Sequence, residues 1–277
     1  MSLSGVEQKG PLLALKSIEK WFGEVHALRG VTLEVNRGEV VGLIGDNGAG
    51  KSTLIKIISG VLRRDRGQIF WKGERVNLRS VPEAQSLGIE TVHQDRAVVG
   101  MMSVARNIFL GREPTSGFGP FRVLDRQRMA RDAEKLLRDL RLHISSVDQE
   151  ARFCSGGEMQ GVAISRAMHF KASLVILDEP TTALAVTGVQ TVLSFIRRLK
   201  EDHIACIFVT HNLHDVYAVA DRFLVMVRGT VAASVRRDEV TVEDLVELQL
   251  AGKADSRELP RDTRAAQRVA PGPHADR

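Results

Sequence analysis

Gly45-Asp46-Asn47-Gly48-Ala49-Gly50-Lys51-Ser52-Thr53 joins the apolar run Glu39 to Ile44 to a segment where Leu54, Ile57, Ile58 and Val61 recur at helical spacing. The run reads as a buried strand that stops at a glycine-rich turn, and the segment after the turn reads as a helix. Gly, four residues, Gly, Lys and Ser match the spacing of a phosphate-binding loop. Each residue type has a reason to be there. Glycines let backbone N–H groups converge on an anion with no Cβ in the way, and the helix after the turn directs its positive end at the same anion. Lys51 is placed to reach the β and γ phosphates of a nucleotide, and the Ser52 hydroxyl to ligate Mg²⁺. By itself this loop does not choose among GTPases, kinases and motor ATPases.

Outward from the loop, Val31 to Val35 alternates like a strand. Further strands are expected at Gln68 to Trp71, Ile89 to Val92, Leu174 to Leu177, Ala205 to Thr210 and Phe223 to Val227, with helical patterns between several of them. That order predicts an α/β core with a mostly parallel sheet. From Ser103 to about Met168 no convincing strand is legible. Asp125 caps a predicted helix in which Met129, Ala133, Leu136, Leu137 and Leu140 share a face, and Gly111 to Pro120 reads as a loop. Residues 252–277, rich in charge, Ala and Pro and without apolar period, read as a disordered tail. No internal repeat is visible.

Composition narrows the function class. The chain has 277 residues, 43% of them hydrophobic, enough for a substantial core. Its longest apolar runs, Val40 to Ile44 and Ile204 to Val209, fall far below the roughly 18 residues of a membrane span. Leu12 to Leu15 is too short for the roughly 7-residue minimum of a secretory core, so a cytosolic chain is expected. Cys154 and Cys206 lack metal or disulfide spacing and fit a reducing compartment. The net charge of +5 is largely local, in Arg122, Arg126, Arg128 and Arg131 and in Arg257, Arg261, Arg264 and Arg268. Aromatic residues are only 5%, too few for the stacking platforms of a single-strand binder, and no nucleic-acid partner is expected.

A second acidic element sharpens the reading. Leu174 to Leu177 form an apolar strand ending at Asp178 and Glu179, which places two carboxylates at the edge where ligands sit in open α/β sheets. Asp178 suits the Mg²⁺ shell and Glu179 the polarisation of an attacking water. Pro180 stops the strand.

In this order the motifs resemble the ATP-binding-cassette (ABC) transporter family over about Leu13 to Leu250. Ser155, Gly156, Gly157 and Glu158, then Gln160 and Ile164 to Ala167, are similar to the family's signature sequence at a helix start. Physically that is a second anion site, with a hydroxyl, glycine amides and a helix N-terminus. The resemblance implies a P-loop NTPase fold with an N-terminal antiparallel β portion and a helical signature subdomain. It implies one nucleotide-binding domain over 11–251, with the helical subdomain at about 95–168. It also implies an ATPase that uses ATP and Mg²⁺, with each catalytic site completed by the signature of a second subunit. Because one set of motifs is present, the chain is expected to work as a homodimer or paired with a similar cassette.

The resemblance further assigns Gln94 to sensing Mg²⁺ and γ-phosphate, and His211 to contacting γ-phosphate. It assigns Phe22, next to Gly23 and Glu24, to stacking on adenine, a role the neighbouring Trp21 could also take. Two positions depart from the family pattern. Cys154 replaces a leucine before the signature, and Ala185 comes after Thr182, Ala183 and Leu184 where much of the family has aspartate. Val92 to Asp95 and Asn107 to Glu113 are similar to single-cassette uptake systems for simple sugars. This implies separate integral membrane permease subunits, an extracytoplasmic solute-binding protein and a peripheral place at the cytoplasmic face of the membrane. Export of lipid or another solute, and a nucleic-acid-directed cassette, are the rival readings. The roughly 25 residues after Leu250 are too few for a regulatory domain of the maltose type.

Overall fold

The computed structural model describes residues 10–92, 98–140, 142–170 and 172–251. In chain order the strands are β1 (Leu13–Phe22), β2 (Val25–Val35), β3 (Val40–Gly45), β4 (Arg66–Trp71), β5 (Glu74–Val76), β6 (Ile89–Val92), β7 (Thr115–Ser116), β8 (Val123–Leu124), β9 (Leu174–Asp178), β10 (Ala205–Val209), β11 (Arg222–Val227) and β12 (Thr230–Arg236). The α-helices are α1 (Lys51–Ile58), α2 (Val81–Ser86), α3 (Val104–Ile108), α4 (Arg126–Asp139), α5 (Gly156–His169), α6 (Val186–Glu201), α7 (Leu213–Tyr217) and α8 (Val242–Ala251).

β3 is buried at every residue because it sits inside a six-stranded sheet of order β12-β11-β3-β10-β9-β6. All neighbours in that order pair in parallel except β11 with β12. Side chains alternate across the sheet and so feed two cores. Val41, Leu43, Ile207 and Val209 pack with α1 and the N-terminal strands, while Val40, Ile44, Cys206 and Phe208 pack with residues of α5, α6 and α7. The N-terminal sheet has order β2-β1-β4-β5 and is antiparallel throughout. Among the described residues no helix is long and apolar enough to cross a membrane.

The periodicity reading did not find β1, β12 or the short strands β5, β7 and β8. In β1 the alternation breaks where Ser17 takes φ 49° and the register with β2 shifts between Leu15 and Ile18. Such a bulge moves the next residues to the opposite face, so Leu13, Leu15 and Ile18 are all buried without an even spacing. β12 is half-exposed along an edge, with too few large apolar residues to signal itself.

The helical subdomain closes its own core from Val104, Ile108, Phe109, Met129, Ala133, Leu137 and Val162. Asp125 does cap α4, its Oδ1 accepting from the Arg128 N–H at 3.0 Å. The segment is not wholly helical, however. Within Gly111 to Pro120, read as loop, Thr115–Ser116 pairs antiparallel with Val123–Leu124. A strand of two residues has no periodicity to detect.

The subdomain is tied to the sheet by an ion pair between a half-buried arginine and a buried carboxylate. Arg112 Nη2 donates to Glu90 Oε1 at 2.6 Å, and Gln85 Nε2 donates to the other oxygen at 3.2 Å. The guanidinium also lies over the Phe170 ring, 4.3 Å from its centroid. Removing one partner of such a pair leaves a buried charge. Arg112→Met should therefore cost about 3 kcal/mol of unfolding free energy in urea titration; an unchanged midpoint would mean that Glu90 is satisfied without it.

Candidate nucleotide site

The loop after β3 is shaped by its surroundings. Gly45 has φ 149°, and a Cβ there would lie 2.3 Å from the Met226 carbonyl oxygen of β11. Gly50, with φ 102°, would place a Cβ 2.9 Å from Leu28 and 3.0 Å from the Ala27 carbonyl. Side chains are excluded at both positions, and the backbone between them bends into an open cleft of about 480 Å³. Asp46 to Thr53 line it, together with Asp178 and Glu179.

Lys51 is only 8% exposed, and its Nζ donates to the Gly45 carbonyl at 2.6 Å and the Asp46 carbonyl at 3.0 Å. Burial lowers its pKa below the ordinary lysine value, while Glu179, Asp178 and Asp46 act in the opposite direction. A cation thus stands in a partly desolvated site, where its interaction with phosphate is stronger than in water. Ser52 is exposed on the same cleft.

Glu179 lies just beyond β9 with φ 52°, a left-handed conformation uncommon for a non-glycine residue. Its N–H donates to the Val209 carbonyl at 2.9 Å, which anchors the kink to β10. Glu179 Oε2 lies 2.9 Å from His211 Nδ1 and accepts from Thr182 Oγ1 at 3.0 Å. The carboxylate side chain is largely buried, whereas the imidazole is 64% exposed. The structure therefore joins two residues that lie 32 positions apart in sequence, a carboxylate at the cleft and a histidine facing outward beside it.

The signature segment lies elsewhere. Ser155 caps α5: its Oγ accepts from Glu158 N–H at 3.3 Å, and its own N–H donates to Glu158 Oε2 at 2.6 Å. The hydroxyl hydrogen remains available for an anion. A Cβ on Gly157 would lie 2.7 Å from the Gly188 Cα, so these two glycines let α5 and α6 approach closely. Ser155, Gly156 and Gly157 line a second cleft of about 370 Å³, which shares no lining residue with the first.

Val25, His26, Ala27, Arg29 and Arg228 also line the first cleft. Phe22 is 47% exposed and does not line that cleft, while Trp21 stacks on His26 at 4.1 Å between ring centroids. His26, Arg29 and Arg228 belong to no spaced motif and are not legible in the sequence, and Thr182, legible as part of the turn before Ala185, gave no sign of its bond to Glu179. Gln94 lies outside the described residues. Cys154 and Cys206 are both buried and free, and burial raises the pKa of each thiol, which disfavours thiolate chemistry.

Residues 28–182 match the family model described as ABC transporter. The chain is 42% identical over 237 residues to a xylose/arabinose import ATP-binding protein of Sulfolobus acidocaldarius, an alignment spanning 86% of this chain and 93% of that one. It is 38% identical over 255 residues to a ribose import ATP-binding protein of Clostridium tetani, covering 92% of this chain but only 50% of that longer relative. The ADP conformation of an ATP-binding cassette of an ABC transporter superposes with TM-score 0.75 at 28% identity, covering 87% of this chain and 98% of that one. This chain belongs to the ABC transporter family. Its fold is that of an ABC ATPase cassette, and its enzymatic class is ATP hydrolase.

Ala185 bears on stability. It is the N-cap of α6, in extended conformation, with no side-chain hydrogen bond to the first turn. A cap side chain that accepts from that turn stabilises a helix by about 1 kcal/mol. Ala185→Asp should accordingly raise the unfolding free energy by about 1 kcal/mol in denaturant titration; no gain would show that the first-turn N–H groups already have partners.

Proposed function

We propose that this chain is the ATP-hydrolysing subunit of a simple-sugar importer, acting as a pair of cassettes beneath separate permease subunits at the cytoplasmic face of the membrane. The observation that carries the catalytic part is the Glu179–His211 pair beside the phosphate loop. In this reading Glu179 polarises the attacking water, and His211 holds the carboxylate while its exposed edge meets the γ-phosphate. Lys51 and the loop amides bind the β and γ phosphates and stabilise charge as the terminal bond breaks. Ser52 and Asp178 suit the coordination of Mg²⁺, which supplies neutralising charge on the phosphates when bound; Gln94 is assigned to the same shell by its place in the motif order. Phe22, at the exposed end of β1, is assigned to the adenine, with Trp21 beside it.

The separation of the two clefts supports the pairing. One chain offers a loop cleft without a signature and a signature cleft without a loop, so two chains related by a two-fold axis would complete two sites. Identity to the xylose/arabinose and ribose import proteins supports sugar as the cargo class and import as the direction. A nucleotide-binding domain over 11–251, with a helical subdomain over about 95–168, accommodates both halves. A solute-binding protein outside the membrane completes the proposed system.

Glu179→Gln should keep ATP binding while lowering hydrolysis about 100-fold or more, and should accumulate a dimer in ATP on size-exclusion chromatography. Wild-type turnover would assign water activation to another residue. For the cargo system, a tagged chain purified from solubilised membranes of its own cells should carry an integral membrane protein with it, and added xylose, arabinose or ribose with the matching binding protein should raise ATP turnover in reconstituted vesicles. Recovery with RNA or DNA and no membrane protein would overturn the transporter reading.

A further inference from the structure

The hairpin of β7 and β8, with the start of α4, carries a surface that nucleotide chemistry does not use. Phe118 is 92% exposed, Phe121 82% and Val123 62%. Single exposed apolar residues are ordinary, but here two phenylalanines and a valine share one projecting turn.

The turn is built to present them. Gly117 has φ 100°, and a Cβ on it would lie 2.3 Å from the Phe121 carbonyl oxygen. Phe121 N–H donates to the Phe118 carbonyl at 3.2 Å, and Asp125 N–H to the Pro114 carbonyl at 2.9 Å. Arg122 Nε donates to Thr115 Oγ1 at 3.0 Å across the two strands. The rings are therefore held outward by a closed loop of hydrogen bonds rather than by a frayed segment.

Charge accompanies them. Arg122 is within the hairpin, and α4 opens with Arg126 and Arg128 and has no acidic residue in its first turn. Cations at a helix N-terminus oppose the helix dipole, so this placement costs helix stability. The two nearby acids are engaged by backbone, Glu113 accepting from Gly111 N–H at 3.2 Å and Asp125 capping α4. Arg128 leans toward Asp132 at 3.6 Å, and Arg122 and Arg126 flank the apolar tip in sequence.

We propose that residues 115–124 form an interfacial anchor that inserts Phe118 and Phe121 among the headgroups of an anionic lipid surface, with Arg122 and Arg126 on the lipid phosphates. A convex tip suits a fluid interface, which closes around it, and apolar burial and attraction to anionic lipid add together. One hairpin provides weak, reversible attachment, so its effect is to orient a cassette against the membrane. The proposal is independent of the cargo and of the catalytic assignments.

The test is sedimentation of the full chain with vesicles of phosphatidylcholine and with vesicles of an equal mixture with phosphatidylglycerol. Wild type should bind the mixed vesicles more tightly than the neutral ones. Phe118→Ser with Phe121→Ser should weaken binding to both about tenfold while ATP turnover in solution is unchanged. Arg122→Gln with Arg126→Gln should remove most of the difference between the two compositions that remains above the background from the arginines of residues 257–268, present in every variant. No binding by wild type, or equal binding by wild type and the phenylalanine variant, would overturn the proposal. So would a phenylalanine variant that sediments normally but no longer co-purifies with a membrane protein, since the hairpin would then be a protein-docking element.

Discussion

The constraint on which the site depends is steric: the chain leaving β3 must turn beneath the Met226 carbonyl, and a side chain does not fit there. Gly45 meets that demand, and the loop beyond it can then turn its backbone toward the cleft. Lys51 ties the loop together by donating to the Gly45 and Asp46 carbonyls, so the residue suited to a phosphate also holds the loop closed. The central position of β3 gives the turn a rigid base, because strands packed on both faces have little freedom to shift.

From this base the parallel order of the sheet delivers the rest of the first cleft. β9 lies next but one to β3, with β10 between them, and its C-terminal end points the same way as that of β3. Asp178 and Glu179 therefore reach the same edge as the phosphate loop, and the segment after β10 brings His211 to Glu179. The signature helix α5 belongs to a different layer and faces a different cleft. A division of this kind fits the proposed engine, in which closing two cassettes assembles the part that each lacks.

The helical subdomain combines attachment with independence. It has its own apolar core, yet Arg112 and Glu90 fasten it to the edge strand β6. A pair of this type holds register well and tolerates little rearrangement without loss. The hairpin of β7 and β8 follows Arg112 directly in sequence, so its aromatic tip is carried next to this attachment.

Much of the chemistry was legible in sequence because it is local. The spacing of Gly45, Gly50, Lys51 and Ser52, the Ser155-Gly156-Gly157-Glu158 segment, and the acids after a buried strand each occupy a few consecutive residues. Such patterns determined the α/β class, the glycine-rich turn between a strand and a helix, and the family. Tertiary structure alone decided which residues meet across distance: the Glu179–His211 pair, the Gly157–Gly188 approach, the His26 and Arg228 wall, and the Arg112–Glu90 bond. It also decided β1, whose bulge defeats period-two reading, and the hairpin, whose strands are too short to have a period. The physical reason is common to all of these. Periodicity and motifs report on neighbours along the chain, whereas contact between distant segments is set by sheet order and packing.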